Sequence, residues 1–236
     1  MLGPMLPYRL HCAPDNASLC VRLALLRLGV PFETALVDRQ ARAQKSPAYL
    51  LLNPNGLIPV LETPHGPLHE TGAILLWLAD RHGGDLAPPT DHPERGLVLT
   101  WLFWLANTLH PPLRVLFYDG DLVPPDQSGL LIARTRERVT THLDVLDAQA
   151  PRLAPWLGAE RSSLLDCYLC PMLRWLALYP RGGADWFALA RWPRLLDVAA
   201  RMEKRPEALA AAQAEGLGPH PFTQATFPSP PEGSPL

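Results

Sequence analysis

The sequence predicts a small α/β domain followed by an all-helical one. Three observations carry that expectation. Residues 8–37 read as strand, helix, strand within about 30 residues, the length of a parallel crossover unit. The turn signal Asn53-Pro54-Asn55-Gly56 then opens a further strand, a hairpin and a helix that stops near Gly83-Gly84. Past a proline-containing stretch, apolar residues recur only at helical spacing.

Taken in order, Tyr8–Cys12 is a short strand. Pro14, Asp15 and Asn16 make a turn, and residues 18–28 carry apolar side chains at helical period. Gly29 is the expected C-cap, with Pro31 two residues on. Residues 32–37 form the second strand, followed by an irregular basic stretch with Arg39, Arg42 and Lys45. In Leu57-Ile58-Pro59-Val60-Leu61 the proline removes a ladder donor, so the segment must lie on an edge or face something other than a strand. His65-Gly66 turns the chain into a short strand ending at Leu68, and a helix runs on from Glu70. The expected boundaries are 1–84 for the first domain, 85–91 for a linker, 92–215 for the helical domain and 216–236 for a tail. Helices are expected at about 92–118, 128–149, 163–178, 193–203 and 206–214, with Pro111-Pro112 kinking the first. The tail holds six prolines from Pro219 onward and no Lys or Arg, and reads as extended, either disordered or laid across the surface.

Composition narrows the function. Of 236 residues, 47% are hydrophobic and 19% charged, enough apolar material for a core. A net charge of -2, from 21 basic and 23 acidic residues, leaves no footprint for nucleic acid or an anionic membrane. Residues 1–7 lack the basic n-region of a signal peptide, and no apolar run reaches the roughly 18 residues of a membrane span. Four cysteines are too few for a disulfide scaffold, which points to a reducing cytoplasm. The eight histidines are scattered, and no cluster has metal-ligand spacing, so no metal is expected.

Asn53-Pro54-Asn55-Gly56-Leu57-Ile58-Pro59-Val60-Leu61, followed by Leu68-His69-Glu70-Thr71-Gly72-Ala73-Ile74, resembles the glutathione transferase signature. Ser163-Leu164-Leu165-Asp166 is similar to the capping box that opens a core helix of that family's second domain. The resemblance spans roughly residues 8–215. It implies a thioredoxin-like N-terminal domain, the family's all-helical C-terminal domain, homodimerisation, a detoxifying transferase and glutathione as co-substrate. It also implies a cis Pro59, leaving the N–H and C=O of Ile58 to pair with the cysteinyl unit of glutathione as an added strand would. Glu70 would take the γ-glutamyl ammonium. Thr71, placed as an N-cap, would offer its hydroxyl and the first helix amides to the γ-glutamyl carboxylate. Lys45 and Arg42 are candidates for the glycyl carboxylate.

Catalysis requires glutathione's thiol to ionise below its usual pKa near 8.5. Two units correspond to about 2.7 kcal/mol of preference for the thiolate. Pro14-Asp15-Asn16-Ala17-Ser18-Leu19 resembles the bacterial beta-class sequence Pro-Gly-Ala-Cys-Ser-Leu, with Ala17 in the place of the cysteine. The upstream tyrosine that other classes use is missing at His11 and Cys12 as well. Ser18 is then the leading donor to the thiolate and Asn16 the second, while an ordinary capping role for Ser18 is nearly as well supported. Asp15 is expected to face solvent or cap the helix. Cys167 and Cys170 have redox-motif spacing but fall inside a core helix, where packing is the better account, and Cys12 on its strand reads as buried.

Asn107, His110, Arg114 and Tyr118 follow one another at helical spacings, as a polar stripe on an apolar helix. In the family this helix borders both the electrophile pocket and the dimer interface. A pocket for a small electrophilic or oxidised substrate, a solvated face and a subunit seam all fit that stripe. The expected function is glutathione conjugation or glutathione-dependent reduction. The competing reading is a non-catalytic glutathione-binding scaffold. An isomerase resembling maleylacetoacetate isomerase ranks low, because its Ser-Ser-Cys motif is absent from Asp15-Asn16-Ala17.

Overall fold

A computed structural model describes residues 8–83 and 85–229. Strands β1 (Tyr8–Cys12), β2 (Phe32–Leu36), β3 (Val60–Thr63) and β4 (Gly66–His69) form one sheet of order β2-β1-β3-β4. β1 pairs parallel with β2 and antiparallel with β3, and β3 pairs antiparallel with β4. Helix α1 (Ser18–Leu28) makes the parallel crossover; Gly29, left-handed at φ 64°, ends it as expected. A short α2 (Pro47–Leu50) and α3 (Thr71–His82) complete the domain.

β3 begins three residues after the apolar run opens at Leu57, directly after Pro59, so the proline stands outside the ladder. The strand itself is paired on both sides, which is possible only because its donors start at Val60.

After the irregular stretch 85–91 come α4 (Arg95–Trp104), α5 (His110–Phe117), α6 (Pro125–Leu153), α7 (Leu164–Leu178), α8 (Pro193–Met202) and α9 (Pro206–Glu215). Between α4 and α5 the chain winds as a π-helix, Leu105–Leu109. Pro111 and Pro112 fall in the first turn of α5, where a missing N–H costs least. The expected kink is thus a wide turn followed by a fresh helix start.

The core is continuous across both halves of the chain. α1 is buried along most of its length, with Leu19, Leu23 and Leu25 joining α7 residues such as Leu169 and Leu173 in one apolar cluster. Ser163 and Asp166 form the expected reciprocal capping box of α7, the Ser163 N–H donating to Asp166 Oδ2 at 2.8 Å. Residues 216–229 lie against the helical layer: Leu217 and Phe222 are buried, and Glu203 accepts from the Thr223 N–H and hydroxyl. Of the two expectations for the tail, this portion follows the surface-laid one. Residues 230–236 lie outside the described residues.

Candidate functional site

Register assembles the site. His11 lies opposite Val60, and Val60 opposite His69. The chain therefore leaves β1, enters β3 and leaves β4 at one end of the sheet. The loop 13–17, Ile58-Pro59 and Glu70-Thr71, far apart in sequence, all fall there. β2 ends at the same end, because Leu36 pairs with Cys12, so the segment leading to Lys45 departs from it too.

The Ile58–Pro59 bond is cis. What precedes it is held by Asn53, itself buried. The Leu57 carbonyl accepts from Asn53 Nδ2 at 2.9 Å and Tyr49 Oη at 3.0 Å, while Asn53 Oδ1 accepts from the Asn55 N–H at 3.0 Å. Ile58 N–H and C=O have no hydrogen-bond partner among the described residues. Lys45 Nζ, exposed, donates to the Asn55 carbonyl at 2.8 Å, which holds the ammonium beside this loop. Gly56 makes that possible: it sits at φ 59°, and a Cβ there would come within 2.7 Å of the Gln44 carbonyl oxygen and 2.9 Å of Lys45 Nζ. Asn53→Ala should leave the fold intact yet loosen Ile58. We expect about tenfold weaker binding of any peptide paired there, measured by titration calorimetry, with a Tm loss of a few degrees.

Glu70, not Thr71, is the N-cap of α3. Thr71 is the first helical residue and is buried, so the expected cap moves back by one position. Glu70 adopts φ 70°, a left-handed conformation costly for a side chain of this size and concentrated at functional positions. Its side chain is 68% exposed and makes no capping bond; the nearest cation, His69 Nδ1, is 3.9 Å away. An exposed carboxylate with only this long contact thus stands beside helix-start amides, which have no intrahelical acceptors.

The 13–17 loop corrects two expectations. Ser18 is fully buried: its hydroxyl donates to the Ala13 carbonyl at 3.0 Å and accepts from the Ala13 N–H at 3.3 Å. It ties the loop together and does not face the cleft. Asn16 is half-buried; its Oδ1 accepts from the Ala17 N–H at 2.8 Å, leaving Nδ2 without a partner among the described residues. Asp15 neither faces solvent nor caps α1. It is buried, and its carboxylate accepts from Arg174 Nε at 2.8 Å, Trp175 Nε1 at 3.0 Å and Tyr179 Oη at 2.6 Å. Glu215 lies behind it, with Oε1 2.7 Å from Arg22 Nε and Oε2 accepting the Asp15 N–H at 2.7 Å. Burial pushes the Glu215 carboxyl up to about 7 against the pull of Arg22.

The polar stripe on the α4–α5 segment splits. Asn107, on the π-helix, is exposed, and Arg114 is exposed over the Tyr118 ring at 5.7 Å. His110 turns inward, its Nδ1 3.0 Å from Tyr168 Oη and its ring 5.8 Å from that of Trp175. It is thereby one side chain removed from Asp15. The wide turn breaks the spacing on which the stripe rested. Burial first, and Arg114 second, lower the His110 pKa to about 4. An unfolded chain takes up that proton near 6.5, so stability falls as pH drops from about 6.5 to about 4, by at most about 3 kcal/mol. Urea unfolding at pH 7 and pH 4.5 should show this loss as a difference between wild type and His110→Gln, because the Glu215 carboxyl, with its raised pKa, gains stability over the same range.

All four cysteines are free and buried. Burial raises the thiol pKa of Cys20, Cys167 and Cys170, in keeping with packing and against a redox pair at Cys167 and Cys170.

Comparison with known proteins matches the family's two halves in order. Residues 17–81 match the glutathione S-transferase N-terminal domain and residues 131–201 its C-terminal domain. The glutathione S-transferase GST-4.5 of Xanthomonas campestris pv. campestris is 30% identical over 217 residues, covering 89% of this chain and 99% of that protein. This chain belongs to the glutathione S-transferase family. Its first half is accordingly the family's thioredoxin-like domain, and its second the family's helical domain. Another relative of this family member is the Escherichia coli disulfide-bond oxidoreductase YfcG, 30% identical over 217 residues, or 86% of this chain and 95% of that one. A sphingomonad glutathione S-transferase solved in complex with glutathione is 32% identical, covers 89% of this chain and 100% of its own, and superposes with a TM-score of 0.73.

Proposed function

We propose that this family member binds glutathione at the sheet end and activates its thiol, either for attack on an electrophile or for glutathione-dependent reduction. One observation carries the reading: an Ile58 backbone with no hydrogen-bond partner among the described residues and an exposed Glu70 carboxylate with only a long contact to His69 stand at the same end of the sheet. Ile58 would pair with the cysteinyl unit, Glu70 with the γ-glutamyl ammonium, and the Thr71 and following amides with the γ-glutamyl carboxylate. Pro59 places the Ile58 backbone, and Lys45 lies on the side that suits the glycyl carboxylate. The sulfur would then face the 13–17 loop, where Asn16 Nδ2 and the Ser18 N–H are the donors; the Leu19 and Cys20 N–H groups are taken by the Asn16 and Ala17 carbonyls, and the Ser18 hydroxyl acts only through Ala13.

The relatives named a transferase and a disulfide-bond oxidoreductase support both branches of the chemistry. Of the stripe residues, His110 has the best claim to border the second substrate; Asn107 and Arg114 would meet it only from the rim. A homodimer is proposed as well, supported by Leu51 at 86% and Phe103 at 54% exposure. Four buried thiols suit the cytoplasm proposed for it.

A second reading, binding without catalysis, is favoured by Ala17 at the cysteine position and by the engaged hydroxyl of Ser18. Thiolate absorbance of bound glutathione at neutral pH decides between them. Activation predicts a depressed thiol pKa together with turnover of an electrophile or a mixed disulfide. An unshifted thiol without turnover would leave the binding role alone.

A further inference from the structure

The loop that presents Asn16 is held from the other domain. Asp15 takes a left-handed φ of 51°, uncommon for a residue with a side chain although Asp tolerates it better than most. Its surroundings here belong to the helical domain. Arg174 and Trp175 of α7 both donate to Oδ1, Tyr179 just beyond α7 donates to Oδ2, and Glu215 of α9 accepts the backbone N–H. Arg174 is itself fixed on its far side, where its guanidinium donates to the Pro221 carbonyl at 3.0 Å and the Thr226 carbonyl at 2.6 Å. Asp15 and Arg174 side chains are both fully enclosed, so their pairing is unscreened by solvent. The carboxylate therefore points into α7, paired with a cation, and not toward the site of a thiolate.

Donors to a developing charge act only if held to within a few tenths of an ångström. Asn16 follows Asp15 directly; its own carbonyl accepts from the Leu19 N–H at 2.8 Å, and the Ser18–Ala13 tie closes the loop, so its position depends on where Asp15 is fixed.

We propose that Asp15, Arg174, Trp175 and Tyr179 form a positioning clamp through which the helical domain sets the sulfur-facing geometry of the 13–17 loop, and hence how readily bound glutathione ionises. The clamp residues touch neither substrate; they act through Asn16 and the Ser18 N–H. This rests on the glutathione reading above.

Tyr179→Phe removes one donor and keeps the ring, and Asp15→Asn keeps the shape and removes the charge. Both are to be compared with the wild type by thiolate absorbance of bound glutathione across pH, with calorimetry for affinity. The expected result is a thiol pKa higher by about one unit, which takes a bound thiol ionising at about 6.5 from about three-quarters to about one-quarter thiolate at pH 7, with Kd changed by no more than about threefold. Any turnover should fall by a similar factor and recover about one pH unit higher. Asp147→Asn is the control: Asp147 holds the start of α8 through the Arg194 and Leu195 N–H groups, so it should lose Tm yet keep the wild-type thiol pKa. Clamp variants that lose Tm but retain the wild-type thiol pKa would overturn the proposal. A wild type that takes up no glutathione would overturn the binding reading, and this proposal with it, before any variant is compared.

Discussion

Glu70→Ala is expected to weaken glutathione binding about a hundredfold and to leave the protein folded. The charge-assisted bond to an ammonium group is worth up to about 3 kcal/mol, because its loss leaves that ammonium unpaired against the protein. The fold should not notice. The Glu70 side chain is 68% exposed and makes no capping bond, and alanine at φ 70° is disfavoured as glutamate already is. Calorimetry and a melting curve on the same sample separate the two effects. A folded variant with wild-type affinity would remove Glu70 from the γ-glutamyl site.

Arg174→Met should instead act on stability. Arg174 is fully buried and is the only cation paired with the Asp15 carboxylate among the described residues. Methionine fills much of the volume but strands that carboxylate with Trp175 and Tyr179 alone. It also leaves the Pro221 and Thr226 carbonyls without their donor. Breaking one side of a buried pair costs about 3–5 kcal/mol, which for a chain of this size lowers Tm by about 10 °C. Residues 216–229 should at the same time become accessible to protease. A Tm within two or three degrees of wild type would mean that the pair contributes little.

These two predictions mark where sequence reading succeeds and where it stops. The cis turn at Ile58-Pro59 and the helix start at Glu70-Thr71 are legible because they are local: a signature turn, a proline and a helix start lie within about twenty residues of one another. The α1 boundaries followed from period and from Gly29 for the same reason. The N-cap of α3 was misplaced by one residue because Thr71 is a good capping residue by type, whereas the positive φ of Glu70 leaves no trace in composition. The burial of Asp15 is hidden in the sequence because its partner Arg174 lies 159 residues away, in a helix with no local link to the loop. Ser18 was over-read: a serine beside a helix start looks the same whether it serves a ligand or its own loop. The π-helix was hidden as well, since Pro111 and Pro112 announce a break but not its form. In the tail, Leu217 and Phe222 were the signal passed over in favour of the prolines.

The most direct test of the account is an amide NMR titration of the intact, 15N-labelled protein with reduced glutathione. Backbone signals of Ile58, Thr71 and Gly72 should shift together along one saturable curve, which Glu70→Ala should displace to much higher concentration. Signals that stay in place, or that drift without saturating while the protein remains folded, would contradict it.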